Sequence, residues 1–219
     1  MFASLALALL ALGLAAPARA GVTISFWSHE FGNDFPHTFF VLEGTPDAGG
    51  PPVQATYGFT AKAITPAILM GNVPGRIDEA KHGYVLGSDV HFSVMLTDAQ
   101  YADILRLVEE WGETGDHHYN LNRRNCVHFV AEAARRSGLT VVEERKLMKK
   151  PRSFIDSLEP RNAGRIRLLN MDGKAFYALA DRTQAPTSAG VPATPVLPAG
   201  TDPVPGAQTP EGPVLVGAE

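Results

Sequence analysis

The chain has 219 residues, 45% of them hydrophobic and 19% charged, which allows one well-packed domain with appendages and excludes two full domains. The 23 acidic and 19 basic side chains leave a formal charge of −4, so no basic field exists to hold nucleic acid. The single cysteine, Cys126, rules out an internal disulfide.

Residues 1–20 (MFASLALALLALGLAAPARA) read as a secretory signal peptide that ends in the small-x-small pattern Ala18-Arg19-Ala20. The expected location is therefore periplasmic or secreted. The apolar run from Phe2 to Ala16 is shorter than the roughly 20 residues a membrane span needs. No transmembrane segment is expected after cleavage. From about Asp181 the chain turns to Pro, Ala, Gly, Thr and Val with few charges, a composition that cannot bury enough apolar surface to offset ordering. Residues 181–219 read as a disordered Pro/Ala/Gly-rich tail, and the folded domain as 21–180.

Within the domain, Val22–Trp27, His37–Leu42 and Val53–Thr60 are β-branched or aromatic runs bounded by turn residues, and each predicts a strand. Residues 61–82 hold Pro66, Gly71, Pro74 and Gly75 and read as irregular. Val90–Leu96 alternates and predicts a strand, with Val90, Phe92, Val94 and Leu96 on one face and His91 on the other. Thr97 with Gln100 forms a capping-box signature, and Tyr101, Ile104, Leu105, Val108 and Trp111 recur at helical spacing. Residues 112–124 read as loop. Asn125 is a good N-cap for a helix that Gly138 stops near Ser137. A short helix follows Pro151, and 165–169 predicts a last strand. The fold class is α+β, a sheet with helices packed on one side.

Cys126 carries the chemistry. At the first turn of a helix it faces unpaired N–H groups and the positive end of the helix dipole, which favour a thiolate. Arg123 and Arg124 add positive charge beside it. The same position also suits a small hydrophobe heading the apolar stripe of Cys126, Phe129, Val130 and Ala133. A thiol nucleophile needs a general base. Of the seven histidines, His37 opens an apolar strand directly after a loop, whereas His128 lies about 200° around the helix from Cys126 and His117 and His118 sit in a polar loop. The segment Arg145–Arg152 reads as a solvated basic face, with contact to an anionic surface as its sharper alternative. No metal-ligand spacing and no cofactor motif occur, so no cofactor is expected.

The run Asn125-Cys126-Val127-His128-Phe129-Val130 resembles the N-C-E-H-F-V segment of the lecithin:retinol acyltransferase-like proteins. These belong to the circularly permuted branch of the NlpC/P60 papain-like superfamily. His37-Thr38-Phe39-Phe40-Val41-Leu42-Glu43-Gly44 is similar to the strand that carries the family's histidine, and Tyr119-Asn120-Leu121 to a run before its cysteine. The resemblance covers roughly residues 22–160. It implies a permuted papain-like fold with an antiparallel sheet packed on helices, Cys126 as nucleophile and His37 as base. Val127 stands where the family has Glu, and no second histidine follows His37 at the family's spacing. The third, orienting residue then falls on the strand 53–60, where Gln54, Tyr57 and Thr56 are candidates, with His91 as an outsider. The implied function is an exported cysteine hydrolase or acyltransferase acting on an amide, ester or thioester. A peptide or cell-wall amide is the favoured substrate and a lipid acyl group the second. The competing expectation is a catalytically degenerate domain that binds envelope components.

Overall fold

A computed structural model describes residues 21–30 and 35–184. The expected signal peptide, and the tail beyond Gln184, lie outside these residues. None of the described helices is long and apolar enough to cross a membrane.

The centre is a seven-stranded antiparallel sheet in the order β6-β4-β3-β2-β1-β5-β7. Its strands are β1 (Val22–His29), β2 (His37–Gly44), β3 (Val53–Ala61), β4 (Val73–Asp78), β5 (Asp89–Met95), β6 (His118–Tyr119) and β7 (Arg167–Asp172). The described helices are α1 (His82–Leu86), α2 (Asp98–Trp111), α3 (Cys126–Arg136), α4 (Pro151–Leu158) and α5 (Gly173–Gln184). The α+β class expected from the sequence is what the chain adopts.

Strand alternation divides the core. Ile24, Phe26, Phe40, Leu42, Phe59 and Phe92 point to one face, where they meet Ile104 and Leu107 of α2, most of α3, and Phe154, Ile155 and Leu158 of α4. Trp27, Phe39, Val41 and Val90 point to the other face, which α1 and α5 cover through Tyr84, Val85, Phe176 and Tyr177. Helices therefore lie on both faces, not one. β1 and β2 are buried through most of their length, with apolar side chains on both faces (Ile24, Phe26, Phe40 and Leu42 on one, Trp27, Phe39 and Val41 on the other), and strands of that kind need cover on both sides.

Three further departures from the expected elements have local causes. The stretch read as irregular holds β4, whose Pro74 and Gly75 sit where the strand is edge-like and pairs with only the two residues of β6. A Cβ at Gly75 would come 2.6 Å from the Phe59 ring and 2.7 Å from the His117 carbonyl, so the strand requires glycine there. In β5, Phe92 pairs with Phe26 and Val90 with Trp27, leaving His91 as a bulged residue. The bulge moves Val90 to the face opposite Phe92, Val94 and Leu96. Finally, α5 runs to Gln184, so the regular fold extends past the boundary expected at 180.

The predicted helix caps are in place. Thr97 and Gln100 form a reciprocal capping box at α2. Asn125 caps α3, and Gly138 ends it with a φ of 83°.

Candidate active site

Asn125 builds the site. Its Oδ1 accepts the amides of Val127 (2.9 Å) and His128 (3.2 Å), while its Nδ2 donates to the carbonyls of Leu121 and Met148, both at 2.8 Å. One side chain thus starts α3, holds the preceding loop and anchors the segment leading to α4. His128 closes the capping box, its Nδ1 accepting the Asn125 backbone N–H at 3.3 Å. It is spent on the cap.

Cys126 follows at the first helical position and is 7% exposed. Backbone N–H groups of Thr38, Val127 and Cys126 itself act on its sulfur and favour the anion, although the Val127 N–H is donated to Asn125 Oδ1. Thr38 directly follows His37, so the start of α3 lies by the start of β2, with Cys126 in the core on the face of Phe40 and Leu42 and His37 on the face of Phe39. The expected lowering of the thiol pKa does not occur. Burial pushes the thiol up to about 11, outweighing the three amides that favour the anion. Nor does Arg124 supply its charge to the sulfur. Its guanidinium lies 3.6 Å from the centre of the Trp111 ring and donates to the Asp116 carbonyl.

His37 reaches this strand end from the other side of the sheet. It shares the face of Phe39, with the two rings near-parallel and 6.3 Å apart. It pairs with His29 across β1. Its Nε2 lies over Gly58, where a Cβ would stand only 2.5 Å away. The register between β2 and β3 stops at Phe39–Gly58, and from Gly58 to Ala61 β3 pairs with β4 instead. The ring occupies the space beside that divergence. Burial pushes His37 down to about 4, with the Asp78 carboxylate partly opposing the shift and His29 adding to it. At neutral pH the site holds a neutral thiol and a neutral imidazole.

The residues expected to orient His37 lie elsewhere. Gln54 pairs with Glu43, four residues past Phe39 along β2. Tyr57 pairs with Phe40 and packs against that ring on the opposite face from His37. The Thr56 hydroxyl donates to the Ala80 carbonyl at 3.2 Å. An open cleft of about 620 Å³ runs along β4 and is lined in part by Tyr57, Arg76, Asp78 and Glu79.

His91 belongs to a separate arrangement that the alternation pattern hid. Its Nε2 accepts the Ser28 hydroxyl at 2.8 Å, and its Nδ1 donates to Asp156 Oδ1 at 2.8 Å. The order Ser28–His91–Asp156 has the connectivity of a nucleophile, base and orienter. Ser28 is 0% exposed and His91 2%, so no substrate carbonyl reaches the hydroxyl. What the set does is tie β1, β5 and α4 together through satisfied buried polar groups. Asp156 and Glu159 join His91 as the group among the described residues with metal-ligand spacing, their candidate atoms within 4.8 Å of one another. Both nitrogens of His91 are already engaged there. The basic segment is not a helix before Pro151. Met148 within it is buried, Lys146 pairs with Glu144, and Arg152 pairs with Asp89.

Comparison with known proteins finds no matching family model, no matching curated protein and no matching solved structure.

Proposed function

We propose that the protein is an exported thiol hydrolase or acyltransferase of the permuted papain-like kind, with Cys126 as nucleophile and His37 as general base. The observation that carries the reading is Cys126 at the first position of the capped helix α3, with the backbone N–H of Thr38, the residue next to His37, acting on its sulfur. His37 takes the thiol proton as sulfur attacks a carbonyl carbon. The carbonyl oxygen becomes an anion held by the backbone N–H of Cys126 at the start of α3. The C–N or C–O bond then breaks, and the amine or alcohol leaves with the proton from His37. The acyl group stays on sulfur as a thioester until water, or an acceptor alcohol or amine, removes it. A neutral imidazole suits this work, because a base must begin unprotonated. A peptide or cell-wall amide is the preferred substrate, and a lipid acyl ester the second.

A thiol near 11 is almost wholly protonated at pH 7, so its reactivity there rests on His37. The test is alkylation of Cys126 by iodoacetamide across pH. The wild type reacts at pH 7 by a His37-dependent route. His37→Ala leaves only the slow reaction of the bare thiol, which rises about tenfold per pH unit toward its pKa. Intact mass after incubation with a fluorogenic ester then reports the thioester, and released amines from purified sacculi report wall amidase activity. The 7% exposure of Cys126 favours one competing reading, a domain of this fold that binds envelope components without turnover. That reading gains if alkylation is the same with and without His37 and no thioester forms.

A further inference from the structure

We infer that Asp78 is the positioning residue of the His37 imidazole, set beside it by the register of β3 and β4 and by the absent side chain of Gly58. The inference rests on the thiol–imidazole reading above and supplies the third group that the strand 53–60 does not.

Across the sheet, Phe39 of β2 pairs with Gly58 of β3, and Gly58 pairs with Asp78 of β4. Directly paired residues point to the same face, so Asp78 shares the face of Phe39 and His37. Any side chain at 58 would stand between them. A Cβ there would meet His37 Nε2 at 2.5 Å and Cε1 at 3.3 Å. With glycine, the ring lies across the strand toward the carboxylate. Asp78 is fixed from its own strand, since Arg76 Nη2 donates to its Oδ1 at 2.9 Å. The charges acting on His37 are consistent with this layout: the Asp78 carboxylate favours the imidazolium and His29 on β1 opposes it. Tyr84 of α1 also packs on Phe39 on this face, and Cys126 lies in the core on the other face with Phe40 and Leu42.

Asp78 acts through His37 and not on substrate. When His37 takes the thiol proton it becomes a cation against the Phe39 ring, and the carboxylate across Gly58 stabilises that cation. It also biases the ring toward one orientation.

The experiment follows the His37 ring protons by NMR titration and, in parallel, iodoacetamide alkylation of Cys126 at pH 7, both on the full chain. Asp78→Asn lowers the His37 pKa and slows alkylation by about tenfold, the size of a charge effect worth one pKa unit. Asp78→Glu restores most of the rate. Arg76→Gln, at an exposed position that leaves the sheet intact, frees the carboxylate and moves both readings upward. If His37→Ala slows alkylation but Asp78→Asn and Arg76→Gln move neither reading, the thiol–imidazole pair stands and the role of Asp78 is overturned. If Asp78→Glu fails to restore what Asp78→Asn removes, Asp78 serves only the packing of β4, and the inference is overturned. If His37→Ala itself leaves alkylation unchanged, the base assignment falls and the inference falls with it.

Discussion

Replacing Asn125 by Ala tests the idea that one buried side chain organises the site. Asn125 is 2% exposed and makes four hydrogen bonds to backbone: two amides accepted at the start of α3, and two carbonyls served in neighbouring segments. Loss of an N-cap costs about 1 kcal/mol, up to about 2 in proteins. The Met148 and Leu121 carbonyls then lose their donor, and an unsatisfied buried group costs about 1–3 kcal/mol. The Leu121 carbonyl lies nearer solvent and recovers part of its loss from water. The total is about 3 kcal/mol, read as a lower urea midpoint at unchanged slope. Asn125→Asp keeps the cap acceptor but sets a buried carboxylate oxygen against the Leu121 and Met148 carbonyls, so it destabilises at least as much as Ala. The His37-dependent alkylation of Cys126 drops in both variants, because the start of α3 and the Met148 segment lose their common anchor. An Asn125→Ala protein within 1 kcal/mol of wild type, with unchanged alkylation, refutes the argument that this side chain holds the site.

Gly58→Ala forces the His37 ring off β3, since the new methyl would lie 2.5 Å from Nε2. Overpacking of this kind costs about 1–3 kcal/mol, and the His37-dependent alkylation rate falls at least tenfold; an unchanged rate shows that the ring does not work from that position. Burial depresses the pKa values of His37, His91 and His128 in the folded state. The unfolded chain therefore binds more protons below its histidine pKa near 6.5, so stability is full above that pH and declines as pH falls toward about 4. His37 accounts for on the order of 2 kcal/mol of this, discounted because the residue is half-buried, and His37→Gln flattens the acid limb of a urea-midpoint profile. Ser28→Ala leaves the buried His91 Nε2 without its donor and destabilises by about 1–3 kcal/mol in thermal or urea unfolding. Alkylation of Cys126 stays at the wild-type rate in that variant, and a fall would move the Ser28–His91–Asp156 set from clamp to active site.

Features decided by neighbours in sequence were legible, and those decided by neighbours in space were not. Thr97 with Gln100, Asn125 and Gly138 set helix ends through contacts within a few residues, and their signals read directly. The strands β1, β2 and β3 announced themselves by β-branched and aromatic runs. β4 did not, because Pro74 and Gly75 look like breakers until β6 and the Phe59 ring are seen to require them. The bulge at His91 cannot be read from alternation, since a single extra residue reverses the faces on either side of it. That reversal turned a histidine expected near solvent or a site into a buried link. Helix α5 was hidden by the composition shift at its C-terminal end, although Phe176 and Tyr177 are the aromatic cover for Trp27. In the site, the position of Cys126 at a helix start was legible and its pKa direction was not. The dipole and amides are local, but desolvation depends on everything packed over the sulfur.

The charge state at the candidate site bears on how such a pair would operate. Thiolate–imidazolium pairs form at rest when the thiol pKa lies below that of the imidazole. Here the order is reversed by a wide margin, near 11 against near 4, and both shifts have the same first cause, burial. Desolvation penalises each charged form separately, whereas a proton passing from sulfur to nitrogen creates both charges together. Once formed, they attract each other in the same low-dielectric surroundings that raised the cost. The three amides at the sulfur and the Asp78 carboxylate near the ring each favour one half of that ion pair. The first are contributed by α3 and β2 and the second by β4. A substrate that displaces water, and places a carbonyl beside the sulfur, would add the remaining stabilisation through the developing oxyanion. The enzyme reading therefore requires proton transfer concerted with attack: alkylation at pH 7 should show a solvent deuterium isotope effect above unity that disappears in His37→Ala. An isotope effect equal in the two proteins would mean that sulfur reacts as a preformed thiolate and that His37 takes no part.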